Sequence, residues 1–284
     1  MNAVGEGPGG GWGPHVIAVA PNGARKTKAD HPALPITPTE IAATAAACRE
    51  AGAAMIHLHV RDHDGGHCLD GDAYRAAIAA TRQAAGADIV VQITTEAVGR
   101  YRPEEQMAVV RDVRPEAVSV VISEIVPNEA GEAAAADFFA WMLRERITPQ
   151  FILFSDAEVR RFLDLRRRGI VPGTSHFVLF VLGRYSRGQQ SKPADLLPFM
   201  AAWPGQGDWA VCAFGAREGA CALTAVALGG HSRVGFENNT LLGDGSVAPD
   251  NAALVDQCRR GAQSIGRPVA DAGFVRESFW IAAS

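Results

Sequence analysis

A membrane-spanning helix needs roughly 20 consecutive apolar residues, and no run in this chain approaches that length. Positive charge is not in excess either. The chain has 27 Lys and Arg against 31 Asp and Glu, a net charge of -4 with the signs interspersed, so no basic face for nucleic acid is expected. Cysteine is sparse: Cys48, Cys68, Cys212, Cys221 and Cys258 are odd in number and scattered. That argues against a disulfide framework and for a reducing compartment. No Cys-x-x-Cys pair suggests a zinc ribbon, and neither a P-loop nor a serine nucleophile elbow stands out. The Gly-rich start, Met1 to Pro14, lacks the apolar core of a signal peptide. It reads as a flexible lead-in to a cytoplasmic protein. What the chain does have is apolar residues, 48% of its 284, enough for a large core.

Those apolar residues fall into a repeating order. His15 to Ala20 is a β-branched run ended by Pro21-Asn22-Gly23, a strand followed by a turn. Thr37-Pro38-Thr39-Glu40 opens a helix with capping residues and an early proline. It runs through Ile41 to Ala51 and closes at Gly52. Ala53 to Asp62 holds the next strand. Strands at 88–93, 117–121, 149–154, 176–182, 209–213 and 232–236 then alternate with helices at 72–85, 103–113, 132–146, 156–168, 194–202, 217–228 and 249–265. Continuous apolar strands are the mark of strands buried on both faces. Eight strand–helix units at this length predict a (β/α)8 TIM barrel, an α/β fold, as a single domain over 15–284. A doubly wound sheet fits less well, because the turn after the first strand is not a Gly-x-Gly-x-x-Gly turn.

A barrel gathers its chemistry at the C-terminal ends of its strands. The residues expected there include Asn22 and Arg25 after strand 1; His57, His59, Arg61 and Asp62 on strand 2; and Thr94, Thr95 and Glu96 after strand 3. Ser119, Ser123 and Glu124 come from strand 4, Arg184 from strand 6, and Arg233, Glu237, Asn238 and Asn239 from strand 8. His57 and His59 are two apart, so both imidazoles leave a strand on one face. Such a pair is often no more than two hydrogen-bonded core histidines. Glu237 is the natural third ligand, because strand 8 closes onto strand 1 beside strand 2. Two imidazoles and one carboxylate suit zinc and leave positions open for water or a chelating substrate. His31, His63 and His67 read as solvated loop residues, and His231, just before strand 8, as a structural residue on the lower side.

Several segments together resemble the β-keto acid cleavage enzymes. They are Asn22-Gly23-Ala24, the run Thr27 to Thr37, Ile56-His57-Leu58-His59-Val60-Arg61-Asp62, Gln92-Ile93-Thr94-Thr95, and Gly229 to Asn239. The resemblance runs from about Val16 to about Cys258. The founding activity of that family is 3-keto-5-aminohexanoate cleavage. The resemblance implies a zinc-dependent barrel, often a homotetramer. It would turn a β-keto acid and acetyl-CoA into acetoacetate and the CoA ester of the shortened acid. It places the zinc ligands on His57, His59 and Glu237, the arginine on Arg233, and the substrate-contacting hydroxyls on Thr95 and Ser119.

Two positions depart from the family pattern. Founding members carry Asp after the ligand Glu, as the proton-abstracting group; here stands Asn238, and an amide is no base. Glu96 and Glu124 are the candidates by position. Members that accept an aminated substrate place Glu after Gly-Ala; here stands Arg25, which favours an anionic or polar tail such as that of a keto-diacid. Coenzyme A has no linear motif, although Arg184 and Arg187 flank a turn suited to phosphates. Arg166 to Arg168 read as complements to a helix dipole. A metal-dependent aldolase or hydrolase on the same barrel, and a non-catalytic binding barrel, are the competing readings.

Overall fold

The computed structural model of the protein describes residues 6–7, 11–205 and 207–279. Eight parallel strands form a closed barrel. In chain order they are β1 (Ile17–Val19), β2 (Met55–Leu58), β3 (Val90–Thr94), β4 (Ala117–Val121), β5 (Thr148–Leu153), β6 (Phe177–Leu182), β7 (Asp208–Ala213) and β8 (His231–Val234). Each strand pairs with its successor, and β8 pairs with β1 through Ser232 opposite Ile17 and Arg233 opposite Ala18. The predicted barrel is therefore present.

Its elements follow from local chemistry. The helix Pro38–Ala51 begins with a reciprocal cap: Glu40 N–H donates to the Thr37 hydroxyl at 3.3 Å, and Thr37 N–H donates to the Glu40 carboxylate at 3.0 Å. Such a box satisfies two of the helix's orphan donors. The side chains on each strand alternate between two cores. Ile17, Val19, Ile56, Leu58, Val91 and Ile93 face the helices, while Val16, Ala18, Met55, Val90, Ala117, Leu179 and Ala210 fill the barrel. The same period carries His57 on from Met55, Gln92 and Thr94 on from Val90, and Ser119 on from Ala117, so polar groups stand above an apolar floor.

Among the elements not foreseen from the sequence, three bear on the barrel and its site. A hairpin pairs Val60–Arg61 with His67–Cys68 directly after β2. A single helical turn, Ile122–Ile125, follows β4 and carries Glu124. The helix Ala272–Phe279 closes the lower mouth of the barrel: the Phe279 ring stacks on Phe177 at 4.1 Å and meets His231 edge-on at 5.4 Å. His231 is thus at the lower end, as expected, where its Nδ1 accepts from Val16 N–H at 3.0 Å.

The expected lead-in over 1–14 lies largely outside the described residues. Within it, Glu6–Gly7 pairs antiparallel with Gly11–Trp12. Among the described residues no helix is long and apolar enough to cross a membrane.

Candidate metal centre and active site

The site is built where β1, β2 and β8 adjoin. Asn22, just past β1, clamps the chain beyond β2. Its amide Nδ2 donates to His59 O at 3.0 Å and its Oδ1 accepts from His59 N–H at 3.3 Å. This replaces the ladder that the short β1 cannot supply, and it leaves the Asn22 amide occupied, although the residue lines the cavity. The loop after β8 is interlocked with the same strand end. Glu237 N–H donates to Ala20 O at 3.0 Å, and Gly235 passes so near that a Cβ there would sit 2.4 Å from Ala20 O. Lys26 Nζ donates to Phe236 O at 2.6 Å and Glu237 O at 3.2 Å. Glu218, buried below, accepts from Gly235 N–H at 3.1 Å and from the Asn239 amide at 3.3 Å.

These clamps bring three ligand atoms together. The Nε2 atoms of His57 and His59 are 3.1 Å apart, and Glu237 Oε2 lies 3.5 Å and 3.4 Å from them. Nitrogen and oxygen ligands at tetrahedral angles around zinc would stand about 3.3 Å apart. Glu237 Oε2 is buried and makes no hydrogen bond, while Oε1 accepts from Arg233 Nη2 at 3.0 Å. Burial would raise the Glu237 carboxyl, but Arg233 and the two imidazoles outweigh it and hold it well below the usual carboxylate range. Burial, with Arg233 beside it, pushes His57 well below its ordinary value. An ionised carboxylate and a neutral imidazole are the forms that bind metal. His57, His59 and Glu237 can therefore hold a metal ion.

Around this group the cavity encloses about 230 Å³. Arg233 is 3% exposed, and its Nε and Nη1 have no hydrogen-bond partner, so a buried cation keeps donors in reserve beside the ligands. Thr94, rather than Thr95, supplies the hydroxyl on the wall. Thr94 Oγ1 accepts from Glu96 N–H at 3.0 Å and lies 3.3 Å from the Ser119 hydroxyl, which donates to it; its own proton is left for the cavity. Thr95 points the other way, donating to Ser119 O at 3.0 Å, and Ser119 reaches the cavity only through Thr94. The period of two decides this, and the repeated threonine concealed it.

The rim is charged. Glu96 Oε1 pairs with Arg25 at 2.8 Å and with Arg184 at 3.3 Å, two cations on one carboxylate. Arg184 also lies over the Phe214 ring. Glu124 lines the cavity too. Its Oε2 accepts from Ala97 N–H at 3.0 Å and from the Gln106 amide at 2.8 Å, and burial raises its proton affinity.

Four further sequence expectations are corrected. Asn238 is buried, makes no side-chain hydrogen bond and does not line the cavity, because the turn at Gly235 directs Glu237 inward and its neighbour away. Arg187 is exposed and off the cavity, so of the two proposed loop cations only Arg184 reaches it. His31 is buried, its Nε2 donating to Ala248 O at 2.9 Å. His67 is buried as well, with Nε2 donating to Glu96 O at 3.0 Å. Neither joins the metal-holding group, but both histidines are packed rather than solvated. The hairpin that carries His67 is fastened by the two residues after His59: Arg61 donates to Gly23 O, Lys26 O and Gly65 O, and Asp62 accepts from Asp64 and Gly66 N–H. Their place in the His57-x-His59-x-Arg61-Asp62 motif is structural.

The model of the beta-keto acid cleavage enzyme family matches residues 14–280. The chain is 31% identical over 269 residues to the 3-keto-5-aminohexanoate cleavage enzyme of Acetoanaerobium sticklandii, covering 92% of this chain and 96% of that one. It is 29% identical over 273 residues to the 3-oxoadipate:acetyl-CoA acetyltransferase of Cupriavidus necator, covering 90% and 91%. Among solved structures, the binary complex of ObcA with oxaloacetate aligns with TM-score 0.70 at 18% identity, over 89% of this chain and 68% of that one. The type I 3-dehydroquinate dehydratase of Clostridium difficile aligns with TM-score 0.59 at 10% identity, over 89% and 94%. At those identities the two structures speak for the barrel alone.

Proposed function

The chain belongs to the beta-keto acid cleavage enzymes, and on that premise we propose that it converts a dicarboxylic β-keto acid and acetyl-CoA into acetoacetate and an acyl-CoA. The observation that carries the reading is the convergence of His57, His59 and Glu237 beside the unspent donors of Arg233. The three ligands would hold zinc, which supplies Lewis-acid polarisation of the ketone and steadies enolate-type charge.

The protein's own residues do the rest. Arg233 takes the substrate carboxylate through Nε and Nη1. The Thr94 hydroxyl donates to the oxygen on which charge develops. A rim carboxylate removes a proton from C2. Of the two candidates, Glu96 is committed to Arg25 and Arg184 and holds them in place, whereas Glu124 has raised proton affinity and keeps Oε1 out of its hydrogen bonds; we therefore assign the base to Glu124. The C2 carbanion attacks the acetyl carbonyl and expels the CoA thiolate. The thiolate adds to the original ketone, the old C2–C3 bond breaks, and C2 takes back a proton. Atoms balance as acetoacetate plus the new thioester.

Arg25 and Arg184 set two cations at the rim, which suits a distal carboxylate on the substrate tail; the 3-oxoadipate:acetyl-CoA acetyltransferase of Cupriavidus necator supports the same choice. The cavity, at about 230 Å³, takes the reacting acids. It falls below the usual span of roughly 300–1,000 Å³ for sites that bury drug-sized ligands, so the nucleotide end of CoA lies outside, past Arg184. Assembly as a homotetramer, which family resemblance implies, is read by sedimentation.

The test is to incubate metal-analysed protein with acetyl-CoA and β-keto acids bearing dicarboxylic, apolar and cationic tails, and to follow acetoacetate and new CoA esters by mass spectrometry. Acetoacetate is expected from the diacid, is lost in His57→Ala and Glu237→Ala, and shifts towards aminated tails in Arg25→Glu. Equal turnover of aminated and dicarboxylic acids removes the diacid reading. Silence across the panel with stoichiometric zinc bound favours a hydrolase or a binding protein.

A further inference from the structure

Each imidazole must offer the metal a nitrogen without a proton, and a neutral imidazole keeps its proton on one of two nitrogens. Neighbours decide which. His57 Nδ1 lies 2.8 Å from Gln92 Oε1, and Gln92 Nε2 donates to Gln150 Oε1 at 3.3 Å. An amide oxygen only accepts, so His57 carries its proton on Nδ1 and leaves Nε2 bare.

For His59 the neighbour is another imidazole. His67 Nε2 stands 3.0 Å from the backbone oxygen of Glu96. A carbonyl only accepts, so that nitrogen bears the His67 proton and Nδ1 presents a lone pair. The lone pair faces His59 Nδ1 at 3.4 Å, a long contact but within reach of a hydrogen bond. On the other side of the ring His57 Nε2 at 3.1 Å and Glu237 Oε2 at 3.4 Å compete for the His59 proton until an ion occupies them; donation from Nδ1 to His67 leaves Nε2 bare towards both. The other acceptor near His59 Nδ1 among the described residues, Glu96 Oε2, is 3.9 Å away, too far to bond.

We propose that His67 is a positioning residue of the metal centre: pinned by the Glu96 carbonyl, it fixes His59 in the Nδ1–H tautomer and so aims His59 Nε2 at the ion. The hairpin gives this role a rigid support. It starts one residue after His59, and Arg61 and Asp62 fasten its turn. The inference rests on reading His57, His59 and Glu237 as a metal site; it does not depend on which acid is cleaved.

The experiment uses the full chain with selectively 15N-labelled histidine, and zinc affinity measured by competition with a chromogenic chelator. His67→Phe keeps a ring and removes the acceptor; His67→Gln restores an acceptor oxygen. In metal-free wild type, His59 is expected with its proton on Nδ1. In folded His67→Phe that tautomer becomes mixed and zinc affinity falls about 10- to 100-fold, the usual cost of losing such a partner. His67→Gln recovers most of the affinity. Wild-type affinity and an unchanged tautomer in His67→Phe would falsify the proposal, since Glu96 would then suffice. An equal loss in Gln and Phe would also overturn it, by assigning the effect to shape. Should His67→Phe fail to fold, a wild-type His59 protonated on Nε2 overturns the proposal by itself. Absence of zinc binding in wild type sinks the metal reading, while the metal-free tautomer still decides the role of His67.

Discussion

A side chain's worth in this site depends on which lone pair or proton it has left after its neighbours are served. Thr94 and Thr95 show this most sharply. They are adjacent and chemically identical, yet one offers a proton to the cavity and the other spends it on Ser119 O. Thr94→Val is expected to lower kcat/KM by about 100-fold, the scale for losing one donor to developing charge. Thr95→Val is expected to leave turnover near wild type and to cost about 1 kcal/mol of stability, for one buried hydrogen bond. Steady-state kinetics and urea unfolding of the two variants read both arms; equal kinetic loss in both contradicts the assignment. The residue type was legible in the sequence here, and the choice between the two threonines was not, because it turns on strand phase at a strand end.

At the scale of an element, the loop after β8 is tightly constrained. Gly235 takes φ of +138° against the end of β1, a conformation that a Cβ both strains and obstructs. Gly235→Ala is expected to cost more than about 2 kcal/mol and to abolish stoichiometric zinc, because Glu237 hangs from the displaced loop; thermal unfolding with metal analysis checks it. Glu218 holds the same loop from below. Burial pushes its carboxyl from 4.5 up to about 8, against two hydrogen bonds that favour the ionised form. A carboxyl raised in the folded state binds a proton on folding, so its contribution is fully present below pH 4.5 and is lost as pH rises through about 8. The slope is at most about 1.4 kcal/mol per pH unit. Subtracting the Tm-against-pH curve of Glu218→Gln from that of wild type should leave a fall between pH 5 and 8; a flat difference refutes the shift. The capping pattern of the helix at Pro38–Ala51 was readable from Thr37, Glu40 and Gly52 alone. The hairpin at Val60–Cys68 was not, since its strands are only two residues each and its Asp- and Gly-rich turn resembles a solvated loop.

For the whole molecule, the upper end of the barrel gathers the candidate site, and the lower end of such a barrel serves stability. The terminal helix Ala272–Phe279 stands where the floor would otherwise meet water, with Phe279 stacked on Phe177. Phe279→Ala is expected to destabilise the fold by about 3–5 kcal/mol while the folded fraction keeps its zinc and its turnover. Chemical denaturation and kinetics below the transition check this, and loss of zinc from a still-folded variant contradicts the separation of the two ends. This helix escaped the strand–helix count because it follows the eighth unit and repeats nothing before it.

The sequence alone determined the architecture and the candidate metal ligands. Eight alternating apolar strands and capped helices leave few closures other than a barrel, and an imidazole pair two residues apart must share a face of β2. Glu237 followed from both, because closure sets β8 beside β1, whose other neighbour is β2. Tertiary structure decided what periodicity cannot express. It turned Asn238 out of the cavity, tied Arg25 and Arg184 to one carboxylate, and buried His67 behind His59. Each of those outcomes depends on partners far apart in the chain and on the direction of a backbone turn. A linear pattern specifies which face a residue takes along its own strand, but not which neighbour across the barrel will use its last hydrogen-bonding atom.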